Sequence, residues 1–397
     1  MDELSFYEDL LNLEGFKITS IDKKPTKIIF EGEYHKSVSK CPNCGEPTGV
    51  IHQRQLRKYQ DLNISGKEVW LLVKIPQFFC PTCHRYFYDH PNWVVSGKLY
   101  TQRQSKWVFE MCEKQPFSQV GILCNMHTRT VQNLYYEIAE KKVKTAERYK
   151  NVRKLGIDEI SRRKGKAGYC CVLTDLERGT QIDILSDRKK ETLVAHFKSL
   201  GVDFCNQIIA IACDIWKGYI NAAKECFPNC YVVIDRFHVV KSLNEVLDSK
   251  RKFLRKSKAK EACFKHLKWS LFKRNDKCTD KEKKALKLAF EQSPELEKIY
   301  ELREQFNTSF DVAKSQKELE ISLNDWGEKA KNLEYKPLNK FLKTLNNWKT
   351  EISNFGIENL SNAITEGLNN GIRYMQRISC GVTNFRNLRI RVLVAYA

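Results

Sequence analysis

Hydrophobic and polar positions follow several distinct regimes along this chain. Residues 1–40 form a lead-in in which a helical patch passes into an extended stretch, KIIFEGEY. Strand-like sequence follows, including EVWLLVKI, and residues 101–145 return to helical spacing that Pro116 breaks into short elements. From residue 150 the apolar runs shorten. RKLGIDEIS, AGYCCVLTDLE and TQIDILS read as three strands joined by tight turns, the second turn being LERGT. ETLVAHFKSL predicts a helix, IIAIACDI a strand buried on both faces, YINAAKECF another helix and YVVIDRF another apolar strand. Val239, Leu243, Val246 and Leu247 then start an amphipathic helix. Beyond it the chain is Lys-, Glu- and Leu-rich with scarcely any strand signal, which predicts an all-α insertion over 251–352.

Three antiparallel strands followed by helix, strand, helix and strand is the order of an RNase H-like domain. The expected fold class is multidomain α/β: an RNase H-like mixed five-stranded sheet with helices, interrupted by the all-α insertion. That core occupies 150–250 and resumes at 353–397 with a C-terminal helix and tail.

Charge narrows the partners. Lys and Arg number 68 against 48 Asp and Glu, a formal net charge of +20. A polyanion is the simplest reason to carry such a field, because neutralised phosphates release counterions on binding. The N-terminal stretch MDELSFYEDLLNLEGF is acidic and lacks the basic-then-apolar layout of a secretory signal, and no apolar run approaches the ~20 residues of a membrane helix. The 15 cysteines are therefore expected to be reduced and cytosolic, some of them holding metal.

Two of the cysteine pairs carry a metal signal. Cys41-Pro-Asn-Cys44-Gly and Cys80-Pro-Thr-Cys83 each place two thiolates on one turn, and together they complete a tetrahedral S₄ shell for Zn²⁺. A closed Cys₄ shell leaves no open position, so this zinc is structural and 41–95 is expected to be a zinc ribbon. His84 and His90 lie close enough to substitute, but the four thiols suffice. Downstream, within a domain expected over 101–148, FSQVGILCNMHTRTVQNLYYEI predicts a short helix to Leu123, a turn around Asn125 and a second helix from Thr128 or Arg129. Packing by Val120, Leu123, Val131 and Leu134 would make a helix-turn-helix that presents Arg129, Thr130, Gln132 and Asn133 to DNA. An ordinary helical hairpin fits that segment as well.

The core holds a third pattern. Asp158 interrupts the apolar strand LGIDEI, and Asp214 ends the apolar run IIAIACD. A carboxylate inside a buried strand is costly unless it is paired or metal-bound. The two strands are neighbours in this fold type, so the acids would meet at one sheet edge. Strand alternation points Glu159 to the opposite face. Glu366 lies in SNAITEGLNNGIRYMQR, a helix opened by Ser361 or Asn362. Its expected apolar stripe is Ile364, Leu368, Ile372 and Met375. Glu366 is then placed outward with Asn362, Asn369, Asn370, Arg373 and Arg377, a surface suited to phosphates and a metal. Three carboxylates suit Mg²⁺ or Mn²⁺ and phosphodiester chemistry.

The blocks GIDEIS, CDIWKGYINA, VIDRFHVVKSLNEVLD and NAITEGLNNGIR, with CGVTNFRNLRIR beyond, resemble the bacterial insertion-sequence transposases of the ISL-three group. The CPNCG and FFCPTC knuckles are similar to that group's zinc-binding segment. The resemblance implies a DDE transposase whose catalytic acids are Asp158, Asp214 and Glu366, with Asp235 and His238 matching a secondary motif that shapes the site. It implies double-stranded DNA partners, namely terminal inverted repeats and target DNA, a homodimer on DNA, and a cytoplasmic, nucleoid-associated location. The basic insertion and the series Arg373, Arg377, Arg386, Arg389 and Arg391 are expected to track DNA backbone. Two other readings of the same residues are a non-catalytic DNA-binding regulator and a structure-specific nuclease on the same fold.

Overall fold

The computed structural model describes residues 3–143, 145–162, 168–257 and 264–396. They form two compact units, one of residues 1–143 with 374–382, the other of 144–373 with 383–397.

In the first unit, α1 (Glu3–Leu11) precedes β1 (Phe16–Lys23) and β2 (Lys27–Tyr34), and the short β3 (Ser39–Lys40) and β4 (Pro47–Thr48) flank the first cysteine knuckle. Two long strands follow, β5 (Ile51–Ile64) and β6 (Lys67–Cys80), then β7 (Arg85–Tyr88). The sheet order is β1-β2-β6-β5, with β7 also on β6. β1 and β2 therefore share one sheet with β6, which ends at the second knuckle, β2 running parallel to β6, while β3 and β4 pair as a separate two-stranded sheet at the first. Strict alternation on β2 puts Ile28, Phe30 and Tyr34 into a core with Val69, Leu71, Val73 and Ile75 of β6. At Gly32 on β2 a Cβ would lie 2.1 Å from the Lys17 carbonyl oxygen, so only glycine lets β1 close on it.

Three helices follow: α2 (Gln102–Cys112), α3 (Phe117–Leu123) and α4 (Thr128–Lys142). Thr101 caps α2, and His127 caps α4 by accepting the Arg129 N–H at 3.2 Å. Asn125 turns between α3 and α4 at φ 51°, and a Cβ on Gly121 would meet the Met126 carbonyl oxygen at 2.7 Å. Val120, Val131 and Leu134 are buried as expected. Leu123 is not: it is 40 % exposed, because the chain ends α3 there and its carbonyl accepts from Asn63 instead.

The second unit opens with α5 (Thr145–Arg148) and the strands β8 (Lys154–Ser161), β9 (Tyr169–Asp175) and β10 (Thr180–Leu185). Then come α6 (Lys190–Ser199), α7 (Val202–Gln207), β11 (Ala210–Cys213), α8 (Lys217–Cys226) and β12 (Tyr231–Ile234). These strands make a mixed five-stranded sheet in the order β10-β9-β8-β11-β12, antiparallel from β10 to β8 and parallel from β8 to β12. The helical segment is α9 (Arg236–Ser257), α10 (Lys268–Phe272), α11 (Asp280–Gln292), α12 (Pro294–Val312), α13 (Gln316–Lys331), α14 (Lys336–Asn347), α15 (Lys349–Ser353) and α16 (Phe355–Glu358). One contiguous core runs from sheet residues such as Leu155 and Ile211 into Phe306, Trp326 and Phe341, so the insertion is packed onto the sheet through a shared interior. Last come α17 (Ala363–Ile378) and α18 (Phe385–Ala395).

The α18 helix lies against the edge strand β10 and corrects one expectation. Arg389 donates twice to the buried carboxylate of Asp183, Nε to Oδ1 at 2.6 Å and Nη2 to Oδ2 at 2.7 Å. Tyr149 Oη and the Ile184 N–H also donate to that carboxylate, at 2.9 and 2.7 Å. Arg391 is 1 % exposed. Neither arginine is placed to track DNA, because α18 turns both inward to hold the last helix on the sheet. Arg373, Arg377 and Arg386 remain exposed. Removing one member of a buried ion pair strands the other. Asp183→Ala is therefore expected to cost about 3–5 kcal/mol, read as a fall in the urea midpoint at unchanged slope.

Candidate functional site

The metal-ligand geometry of the first unit is compact. The thiols of Cys41, Cys44, Cys80 and Cys83 all lie within 4.8 Å of one another, with Cys41–Cys83 and Cys44–Cys80 sulfur distances of 3.5 Å. Both knuckles fold the same way: the Gly45 N–H donates to the Cys41 carbonyl and the His84 N–H to the Cys80 carbonyl, with Gly45 and His84 at positive φ. The Cys44 backbone N–H aimed at the Cys41 sulfur holds that thiol down at about 6, and the Cys83 N–H lowers Cys80 in the same way. Soft donors, tetrahedral spacing and amides that favour thiolates fit a closed structural Zn²⁺ site. His84 is exposed and His90 instead meets Tyr59 Oη at 3.3 Å. Cys44→Ser is expected to lower bound zinc from one equivalent per chain to none, and to lower the melting temperature of the N-terminal unit. Elemental analysis and calorimetry read both.

In the second unit the sheet register does the positioning. Parallel pairing sets Cys213 of β11 opposite Ile157 of β8, and Ile234 of β12 opposite Cys213. The next residue on each strand is an acid, so Asp158, Asp214 and Asp235 leave three neighbouring strands at one level. A cleft of about 340 Å³ opens there, lined by Asp158, Asp214, His238, Lys241, Glu366 and Arg373, among others. The three predicted acids thus share one cleft. Among the described residues, however, only the four thiols bring three or more ligand atoms within 4.8 Å of one another, so the acids line the cleft without converging that closely.

Each side chain has a distinct environment. Burial, reinforced by the negative charge of Asp214, pushes the Asp158 carboxyl from an ordinary 3.8 up to about 6. Asp158 Oδ2 accepts from Asn369 Nδ2 at 2.6 Å and its Oδ1 from the Glu159 N–H at 2.7 Å. The His238 Nε2 lies 2.7 Å from Asp214 Oδ1, an ion pair when the imidazole is protonated. Burial works against charge on His238, yet Asp214 beside it outweighs burial and holds its pKa above the ordinary value. Asp235 is 6 % exposed and acts locally, its Oδ1 capping α9 at the Phe237 N–H and its Oδ2 accepting the Asn362 N–H, both at 2.9 Å.

The α17 helix departs in part from its expected orientation: Ile372 and Met375 of the expected stripe are buried, but its first turns are rotated. Asn362, Thr365 and Asn369, at three- and four-residue spacing, are 3 %, 0 % and 0 % exposed, whereas Ile364 is 43 % exposed. The buried face is thus polar where it meets β8, because it must reach backbone and carboxylate groups there. Asn362 Nδ2 donates to the Ile157 carbonyl at 3.1 Å, alongside the bond from Asn369 to Asp158. Glu366 and Arg373 remain exposed on the cleft wall, and Asn370 and Arg377 are exposed as well. Gly156 makes the seat possible, since a Cβ there would stand 2.4 Å from Thr365 Oγ1 and 2.7 Å from Asn362 Oδ1. Sequence reasoning missed Gly156, Asn362 and Asn369 as site-builders, and the N-x-x-T-x-x-x-N spacing was the available signal.

Glu159 also departs from expectation. It lines the same cleft rather than the opposite face, and its carboxylate is taken by Arg188, whose guanidinium covers Trp216 and Tyr169 at 4.2 and 4.5 Å. Arg129, Thr130 and Asn133 are exposed on the first turns of α4, with Gln132 half-buried.

Comparisons with known proteins agree with this arrangement. A family model described as "Transposase", of the ISL3 DDE group, matches residues 155–392, and one described as the zinc-finger of transposase IS204/IS1001/IS1096/IS1165 matches 37–83. The transposase for insertion sequence element IS1001 of Bordetella parapertussis is 23 % identical over 361 residues, covering 90 % of this chain and 88 % of its own. The transposase for IS1557 of Mycobacterium tuberculosis is 24 % identical over 377 residues, 86 % and 82 % of the two chains. With more than half its length matched, the chain belongs to the ISL3 family of DDE transposases and is a DNA transposase. Among the described residues no helix is long and apolar enough to cross a membrane.

Two carboxylates facing one cleft repel each other unless a cation joins them, and the hard oxygens of Asp158 and Asp214 fit such an ion. Asp158 gives this a measurable sign. Its folded pKa lies above its unfolded value, so between about pH 4 and 6 the folded protein holds a proton that the unfolded chain has released. Stability from this group is present below that window and lost as pH rises through it. Without added divalent cation, Asp158→Asn is expected to stabilise the protein at pH 7–8, by up to about 3 kcal/mol, with the gain vanishing near pH 4. Thermal melts across pH check it.

Proposed function

We propose that Asp158, Asp214 and Glu366 are the catalytic acids of this transposase and together hold Mg²⁺ or Mn²⁺. The observation that carries this is the register of β8 and β11, which delivers Asp158 and Asp214 side by side into the cleft that Glu366 also lines. The order β10-β9-β8-β11-β12 supports reading the sheet as RNase H-like, with the catalytic core at 150–250 and 353–397 and the insertion at 251–352. The α3–α4 pair supports a helix-turn-helix over 101–148 whose Arg129, Thr130, Gln132 and Asn133 contact DNA. With the zinc ribbon, this pair would recognise terminal inverted repeats, and two ends would be paired by a homodimer.

The reaction is cleavage of a strand at the element end, then attack of the freed 3′-hydroxyl on target DNA. Both steps are in-line displacements at phosphorus, so one site serves both. Divalent cations, when bound, supply Lewis acidity and lower the pKa of an attacking water. The residues do the rest. Asp158 and Asp214 keep the cleft anionic where a cation must sit. His238, whose protonated form Asp214 favours, pairs with that carboxylate, and Asp235 fixes the start of α9 on which His238 stands. Asn369 is a positioning residue, donating to Asp158 so that one oxygen is engaged and its direction set. Arg373 and Lys241, exposed at the rim, meet backbone phosphates.

The test is strand transfer in vitro with Mg²⁺ and DNA bearing the inverted repeats that flank the gene. Asp158→Asn, Asp214→Asn and Glu366→Gln are each expected to lower strand transfer by about 10³-fold or more, as loss of several kcal/mol of metal-dependent stabilisation requires, with repeat binding retained. Asn369→Leu is expected to raise the Mg²⁺ concentration needed for half-maximal rate and to leave repeat binding unchanged. Full activity in Asp214→Asn would sink the assignment.

A further inference from the structure

Beside the acid cleft lies a larger cavity of about 860 Å³ that the reaction as described does not use. The two adjoin, since Phe237 and Lys241 of α9 line both. From there the cavity follows α9 as far as Lys252, fifteen residues on, or about 22 Å of helix. Its far wall is α10, which contributes Lys268, Trp269 and Phe272.

Two features of the lining define what it would hold. Trp269 is 67 % exposed and Phe237 52 % exposed, so two aromatic surfaces stand open to a concave space. A lone exposed aromatic on a convex surface needs no explanation, but two facing one cavity make a stacking platform. The Trp269 ring is braced edge-on by Phe272, with centroids 5.9 Å apart at 84°. The charges around them favour an anion. Arg303 is buried and paired with Glu304, and Lys252 and Arg251 neutralise Asp248, which leaves Lys241 and Lys268 facing Glu245. Lys268 also lies 4.8 Å from the Trp269 ring centroid. Flat apolar faces interleaved with cations suit bases that expose their π-faces and phosphates that follow them. Paired bases hide those faces in the stack, and the cavity is far too small for a duplex.

We propose that this cavity is a binding site for unpaired nucleotides of the DNA strand whose phosphodiester lies in the acid cleft, with Trp269 as the stacking platform. The proposal takes from the transposase reading only that the substrate is DNA. Its role is to hold a strand end parted from its complement while the neighbouring phosphate occupies the cleft.

The test uses the full-length protein without added catalytic metal, so that no cleavage is read. The probes are a blunt duplex and the same duplex with a short 3′ single-stranded tail carrying 2-aminopurine. Wild type is expected to bind the tailed duplex about tenfold or more tightly than the blunt one, the effect of one base–aromatic stack, with quenched 2-aminopurine fluorescence. Trp269→Ala removes the preference and the quenching while blunt-duplex binding stays unchanged, and Trp269→Phe keeps most of both. Asp214→Asn retains the preference, so failure of the three-acid assignment and failure of this site give different results. Equal affinity of wild type for both probes, a preference that survives Trp269→Ala, or an equal loss on both probes would overturn the proposal.

Discussion

The catalytic half of this molecule depends on how closely one helix from the end of the chain approaches the first strand of the sheet. Gly156 leaves the room, since any Cβ there would collide with Thr365 and Asn362. Into that room α17 sets two asparagines, one bonded to the Ile157 carbonyl and one to Asp158. The helix is thus docked by directional bonds at the point where the acids emerge, and Glu366 is carried to the cleft as a result. An apolar contact of the same area would hold the helix without fixing its rotation, because hydrophobic attraction is non-directional.

The sheet itself was largely legible. Runs such as IIAIACD and YVVI are too apolar to be anything but strands buried on both faces, and an acid following each run marks the edge where the site forms. The cysteine knuckles were legible because C-x-x-C spacing encodes a turn as well as a ligand pair. Other parts were not. Much of β5 is exposed at a sheet edge, where nothing forces alternation, so no period-2 signal marks it. On α17 the expected stripe holds at Ile372 and Met375, yet Ile364 is exposed and Asn362, Thr365 and Asn369 are buried. Periodicity finds apolar faces and cannot find a polar face that is buried because its partners are polar. The arginines of α18 failed for the same reason: their charge reads as a DNA surface until Asp183, some two hundred residues earlier, is seen beneath Arg389.

The thiol cluster and the acid cleft differ in their electrostatics. At Cys41 and Cys80 backbone amides point at sulfur and favour the anion, while burial and the neighbouring thiols push Cys44 and Cys83 the other way. Around the carboxylates, burial and mutual repulsion disfavour the anion, raising Asp158 to about 6. The first arrangement suits an ion that stays for the life of the fold. The second suits an ion that comes and goes with substrate phosphates, since the protein pays in stability while the cleft is charged and empty.

The order in which a ribosome makes the chain gives the docking of α17 and α18 a further meaning. The zinc knuckles are complete by residue 83, and Asp158 and Asp214 are in place long before the helices that cover them. Glu366 and the arginine that closes the β10 edge follow Asp214 by about 150 residues or more. Every nascent chain therefore passes through a stage in which it carries its zinc ribbon and two acids but lacks the third acid and leaves β10 uncovered. Such a chain lacks the acid proposed to complete the cleft, and the same stage exposes a sheet edge open to pairing with another chain.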